Sequence, residues 1–293
     1  MPTSPTSLRI DANGLRFHVL EAGTGDRLAL CLHGFPELAY SWRNQLPVLA
    51  AEGWRVWAPD LRGYGGTDRP AAREDYAIER LMDDVAALID ASGARETWLL
   101  AHDWGGVVAW YFAMRKLRPL SRLTVMNLPH PACFQRVLAR GGWRQRLRSW
   151  YVLFFQLPWL PEQLFGARGA KLVGDAFRNM AVHKELFPDE VLDVYKRAAL
   201  EPGALTAMIN YYRALVRGGG ARRQNSLGFP KLDVPTLVIW GEQDSALGVE
   251  LLEGTEEFVT DLTLHRLPDA SHWVQQDAPE KVNALLVEWL RRS

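Results

Sequence analysis

Residues 99–106 read LLAHDWGG, an apolar run that arrives at Asp103 with a small residue, Ala101 or Gly105, two places to either side. The stretch after it, GVVAWYFAMRKL, carries its apolar residues at helical spacing. A strand, a sharp turn and a helix with one reactive side chain at the apex form a nucleophile elbow, whose usual occupant is serine. A carboxylate at that apex has a different use. It is already ionised at neutral pH, and as a weak nucleophile it suits displacement at a saturated carbon, leaving an alkyl ester of Asp103. Two further polar residues follow strand-like runs: Asp244 in VIWGEQD and His272 in LPDASHW. His272, oriented by Asp244, would activate water against the ester carbonyl. The loop LHGFPE, residues 32–37, follows another apolar run. Backbone N–H groups of Phe35 and Trp104 would there form an oxyanion hole. Such a site wants a strained or good leaving group on carbon, an epoxide or an alkyl halide. Alone, Asp244 could be a turn residue and His272 a hydrogen-bonded loop histidine; their shared order and strand-end placement make joint accident a poor explanation.

The elements that must hold these residues alternate along the chain. LRFHVL (15–20), RLALCLHG (27–34) and WRVWAPD (54–60) read as strands, with AYSWRNQLPVLAAEG (39–53) at helical spacing between the last two. LRGYGGTDRP is loop by its glycines and proline, and YAIERLMDDVAALIDASG is an amphipathic helix closed by Gly93. The elbow strand and its helix follow, then LSRLTVMNLP as a further strand. From about Pro129 no buried strand is predicted until RGGGARRQN, which reads as a flexible return. VPTLVIWG, GVELLEGTEEF, DLTLHRL and PEKVNALLVEWL then restore the strand–helix alternation. The pattern predicts an α/β fold, a mostly parallel sheet flanked by helices, with residues 1–129 and 226–293 as the core domain and 130–225 as an inserted helical cap. Ligands of open α/β sheets bind at the carboxyl ends of the strands, where such a cap would lie.

Composition narrows the classes. Of 293 residues, 34 are Lys or Arg and 34 Asp or Glu, so no global field would recruit nucleic acid or an anionic membrane. A local basic run, Arg136, Arg140, Arg144, Arg146 and Arg148, reads as a solvated helix face. Cys31 and Cys133 stand far apart in no metal-like spacing, which points to a reducing compartment. MPTSPTSLRI lacks the apolar stretch of a signal peptide, and WYVLFFQLPWL is too short to span a bilayer. The expectation is a cytoplasmic protein without nucleic-acid or membrane partners, monomeric or homodimeric. With no G-x-G-x-x-G after a strand and no metal-ligand cluster, no cofactor and no metal are expected.

From about residue 8 to 291 the chain resembles the α/β-hydrolase-fold epoxide hydrolases, whose motifs HGFPE, DLRGYGGTDRP, AHDWGG, WGEQDSAL and SHWVQQDAPEKV match in order. The order nucleophile, acid, histidine is that of the α/β-hydrolases. The resemblance implies addition of water to an epoxide to give a vicinal diol, without a cofactor, and two cap tyrosines that protonate the ring-opening alkoxide. WYVLFFQLP and NYYRAL look like the tyrosine-bearing segments, which places these roles on Tyr151 and Tyr212. Tyr211 remains open as a competitor, since one helical step turns it by about 100°. The sister family, the haloalkane dehalogenases, shares Asp–Trp at the elbow and commonly adds a halide-holding Asn in the HG-x-P loop or a second Trp. Here the loop position is Phe35, without a side-chain donor, which favours an epoxide. A dehalogenase using the same Asp103 ester, or an idle α/β-hydrolase fold that only binds ligand, are the alternatives. Trp42, Trp104, Trp150, Trp159 and Phe154, with Phe35, are candidate linings for a lipophilic substrate. Ala101 and Ser271 stand where the family often has glycine, and His130 in NLPHP reads as a capping imidazole at a strand end.

Overall fold

The computed structural model describes residues 5–292. The chain opens with β1 (Thr6–Ala12) and β2 (Leu15–Ala22), an antiparallel pair turned at Asn13–Gly14, both at positive φ. β1 was not among the expected strands. Its residues are mostly exposed, so it lacks the apolar run by which buried strands announce themselves. There follow β3 (Arg27–Leu32), α1 (Leu46–Ala51), β4 (Arg55–Pro59), α2 (Ile78–Ser92), β5 (Glu96–His102), α3 (Trp104–Met114) and β6 (Arg122–Met126). The single helix expected at 39–53 is instead a 3-10 turn, Ala39–Trp42, and then α1, with Pro47 in the first turn where its missing N–H costs nothing.

Between β6 and β7 (Thr236–Gly241) the described residues form helices and, apart from an isolated bridge from Leu232 to Val259, no strand: α4 (Pro131–Ala139), α5 (Trp143–Arg148), α6 (Trp150–Phe154), α7 (Leu160–Met180), α8 (Asp189–Leu200), α9 (Ala204–Arg217) and α10 (Gly220–Ser226). α7 is broken at Ala167–Ala170, whose backbone leaves the helical region. The return expected to be flexible is α10, tied to α3 by hydrogen bonds from Tyr111 to Asn225 and from Arg115 to Gln224, both 3.0 Å. β8 (Leu262–Leu267), α11 (Val274–Asp277) and α12 (Pro279–Arg291) complete the chain. GVELLEGTEEF is not a helix but two 3-10 turns, Val249–Leu252 and Thr255–Glu257, parted by Gly254 at φ 82°.

The eight strands make one sheet in the order β1-β2-β4-β3-β5-β6-β7-β8, antiparallel at β1–β2–β4 and parallel from β4 to β8. Each central strand feeds two cores. β3 sends Leu28, Leu30 and Leu32 to the face covered by α2 and α3, and Ala29 and Cys31 to the face covered by α1 and α12. Each such leucine stabilises the fold by about 1.5–3 kcal/mol, and polar loops are left to gather at the strand ends. The helical insertion crosses those ends: the Phe155 and Tyr212 rings pack on Phe35 at 5.2 and 5.3 Å. Among the described residues no helix is long and apolar enough to cross a membrane.

Candidate active site

Asp103 links β5 to α3 at φ 46°, ψ −117°, a conformation costly for any residue with a Cβ and tolerated only where its surroundings enforce it. The enforcement is close packing. A Cβ on Gly105 would lie 2.4 Å from the Leu32 carbonyl oxygen, and one on Gly34 would lie 2.5 Å from Asp103 Cβ. The Gly105 amide donates to the His33 carbonyl at 3.0 Å, drawing α3 onto the end of β3. In this position Asp103 Oδ1 accepts the Phe35 amide at 2.8 Å, and Oδ2 lies 3.7 Å from His272 Nε2. Trp104 is the first residue of α3, so its amide is one of those that no intrahelical carbonyl satisfies.

His272, in the loop between β8 and α11, points its Nδ1 at Asp244 Oδ2, 2.7 Å away. Asp244 is held from every side. Its Oδ1 accepts the amides of Ala246 and Leu247 at 2.7 and 2.9 Å, and its Oδ2 also accepts Asn127 Nδ2 at 2.8 Å. Burial alone would raise the Asp244 pKa, but His272 and these donors keep it below the usual carboxylate value. Burial likewise opposes charge on His272, yet Asp244 and then Asp103 outweigh it and hold the imidazole up to about 9.

Tyr151 and Tyr212 meet above this carboxylate, ring centroids 5.9 Å apart, with Tyr212 edge-on to Trp104 at 4.9 Å. Burial first, and the Asp103 charge next, push both phenols above their ordinary value, so each keeps its proton at neutral pH. Tyr211 faces elsewhere: its hydroxyl donates to the Arg62 carbonyl at 2.8 Å and its ring packs on Tyr64 and Tyr76. Two cavities share Asp103, Tyr151 and Tyr212. One, of about 280 Å³, runs past Phe35, Trp150, Phe155 and His272; the other, of about 340 Å³, runs past Trp104, Phe134, Leu138 and Leu215. Phe155, not Phe154, lines the first; Phe154 is turned one residue along the helix, against Trp150 at 5.8 Å. Trp42 is fully buried in the core on the opposite side of the sheet, and Trp159 lies two-thirds exposed at 67% away from both cavities. A cleft of about 500 Å³ beside Lys116 and Pro235 lies at the other end of β7 and holds none of these groups.

A family profile describing the α/β hydrolase fold matches residues 30–279. The chain is 38% identical to human Epoxide hydrolase 4 over 97% of its own length and 78% of that protein's. The chain belongs to the epoxide hydrolase family of the α/β-hydrolase fold. It is also 37% identical to the AB hydrolase superfamily protein YfhM of Bacillus subtilis, covering 96% of each. Among solved structures it is similar to a Bacillus megaterium epoxide hydrolase variant complexed with its naphthyloxy-propanediol product. The TM-score is 0.86 and the identity 31%, over 97% of this chain and all of the other.

Within this family member, sequence reasoning missed a buried layer behind the site. Glu37, fully buried, accepts the Gly34 amide and His102 Nδ1 on Oε2 at 2.7 and 2.6 Å. On Oε1 it accepts Gln275 and Gln276 Nε2 at 2.9 and 2.8 Å. His102 Nε2 in turn meets the His272 carbonyl at 2.8 Å. Burial alone would raise the Glu37 pKa; the His102 ring and the Gly34 amide bring it down to about 2. One carboxylate thus ties the Phe35 loop to the His272 loop. Asn127, at φ 41° on the end of β6, was also missed, although its neighbour His130 was singled out. His130 accepts the Ala132 amide at 3.3 Å as the cap of α4 and stacks on Phe258. The available signal for Asn127 was its place at a strand end beside β7.

Proposed function

We propose that this chain hydrolyses lipophilic epoxides to vicinal diols through an ester on Asp103. The observation that carries this reading is the division of labour within that carboxylate. Oδ1 is engaged by the Phe35 amide while Oδ2 remains beside His272, with two tyrosines lining the same space. Oδ2 attacks a ring carbon; the C–O bond breaks and its electron pair goes to the oxygen, which takes a proton from Tyr151 or Tyr212. Water then attacks the ester carbonyl carbon, giving its proton to His272 Nε2, while the amides of Phe35 and Trp104 hold the charge forming on Oδ1. The acyl–oxygen bond breaks, the departing diol oxygen takes the proton from His272, and the carboxyl proton left on Asp103 returns to the tyrosine that gave one up, which restores every group. Residues 130–225 act as the cap over a core of 1–129 and 226–293. The two cavities meeting at Asp103 suit an epoxide with an apolar arm on either side of the ring.

Once Asp103 is esterified its charge is gone, and with it one of the causes that keep His272 protonated. Alkylation thereby readies the base for the step that follows. The test is intact-protein mass spectrometry of His272→Gln with aryl epoxides and, separately, with bromoalkanes. The variant stalls as the ester, gaining the mass of the whole epoxide, and Asp103→Asn gains nothing. A gain equal to an alkyl group without bromine would move the protein to the dehalogenases. No adduct across a broad panel would leave a ligand-binding fold.

A further inference from the structure

The basic run of the helical insertion, read from sequence as a solvated face, shares its surface with an apolar stripe. Along α5, α6 and the turn after them, Trp143, Leu147, Trp150, Leu153, Leu157 and Trp159 are each between 44% and 72% exposed. Trp143 and Leu147 stand one turn apart on α5, and Trp150 and Leu153 one turn apart on α6, so each pair shares a side of its helix. Exposed apolar residues in this number and arrangement are uncommon on a surface that meets only water. The charge carried by this segment itself is of one sign. From Phe134 to Leu160 the chain has five arginines and no acidic residue. Arg136 and Arg148 reach across to Glu257 and Glu250 of the core, whereas among the described residues Arg140, Arg144 and Arg146 make no ion pair. Arg144 lies over the Trp143 ring at 5.5 Å.

We infer that this face docks on an anionic lipid surface. Tryptophan and leucine beside arginine is the composition of a segment lying in the bilayer interface, apolar side chains among the acyl chains and guanidinium groups at the phosphates. A second copy of the chain fits less well. A two-fold contact would set this patch against itself and oppose arginine to arginine. Arg148 and Trp150 also line the cavity that contains Asp103, so the docked face borders the cavity through which an apolar molecule would pass from the lipid. The docking itself does not depend on the reaction at Asp103.

Flotation of the full chain with vesicles, in the absence of any epoxide, tests this. Vesicles of phosphatidylcholine with phosphatidylglycerol carry the protein at low salt, and high salt releases it. Vesicles of phosphatidylcholine alone carry at least about tenfold less. The triple variant Arg140→Gln, Arg144→Gln, Arg146→Gln loses anionic-vesicle affinity on the order of a hundredfold. Trp143→Ser with Leu147→Ser loses it too. Both variants keep close to the wild-type melting temperature, since the altered side chains lie outside both cores and only Arg146 gives up a hydrogen bond, to the Leu138 carbonyl at the surface. Failure of the wild type to float with anionic vesicles overturns the inference, as does equal flotation of the arginine variant. A dimer in sedimentation velocity that Leu147→Glu dissociates, with no flotation, would assign the face to a second copy instead.

Discussion

The Phe35 amide donates to Asp103 Oδ1 at 2.8 Å, a contact made possible because Gly34 beside it has no side chain. A methyl group at Gly34 would stand 2.6 Å from that same oxygen and must displace either the loop or the carboxylate. Gly34→Ala is therefore expected to lower kcat/KM for an epoxide by about 10²-fold, the cost of a misplaced reacting group. Steady-state kinetics with a melting curve to verify folding would check it. Wild-type kinetics would mean that the loop yields without cost.

On the proposed mechanism the two cavity-facing phenols divide one task. Tyr151→Phe or Tyr212→Phe alone should slow ester formation less than the double variant, which loses about 10²–10⁴-fold. Quench-flow mass spectrometry on His272→Gln backgrounds reads that rate directly. Tyr211→Phe instead removes a hydrogen bond to the Arg62 carbonyl and costs about 1 kcal/mol of stability, with ester formation unchanged. Slower ester formation in Tyr211→Phe than in Tyr212→Phe would reverse the assignment.

His272 is pushed up to about 9 because carboxylate charges, those of Asp244 and Asp103 foremost, outweigh its burial. Removing either negative charge must lower that value. Asp244→Asn should lower it more than Asp103→Asn, since Asp244 also makes the hydrogen bond. Imidazole nitrogen shifts followed by NMR across pH would show both. Linkage sets the sign for stability: the folded value lies above the ordinary 6.5, so this contribution is complete below about 6.5 and is lost as pH rises through about 9. Asp103→Asn should flatten that alkaline limb of the unfolding curve.

Glu37 works in the opposite direction. Its folded pKa of about 2 lies below the ordinary 4.5, so its contribution is present above about 4.5 and disappears as pH falls through about 2. Glu37→Gln turns an amide toward donors that need an acceptor and is expected to cost about 3–5 kcal/mol at neutral pH. Unfolding free energies of variant and wild type should converge between pH 4.5 and 2. A constant gap down the whole range would show that the carboxylate's charge is not what the network uses.

What the sequence determined was whatever is written locally and repeatedly. Continuous apolar runs at β3, β5 and β7 mark strands covered on both faces. The helical period in α2 and α12 marks their partners, and polar residues just past strand ends, Asp103, Asp244 and His272, mark the rim. The resemblance of WYVLFFQLP and NYYRAL to the family's tyrosine-bearing segments brought in Tyr151 and Tyr212 as candidates, but it left Tyr211 beside them. Only the tertiary structure chose, because one residue's step around a helix changes which wall it faces while leaving the periodicity intact. The same step put Phe155 rather than Phe154 against the cavity, and sheet sidedness sent Trp42 to the far core. Exposed β1 was invisible for want of an apolar run, and Gly254 split an apparent helix by taking a positive φ. The Glu37 layer was out of reach for a different reason. Its partners are Gly34 in the loop after β3, His102 at the end of β5, and Gln275 and Gln276 on α11, brought together by the sheet, and a hydrogen bond across that distance leaves no pattern in the linear chain. Periodicity reports how much each element is buried; which buried polar groups meet is decided when the elements pack.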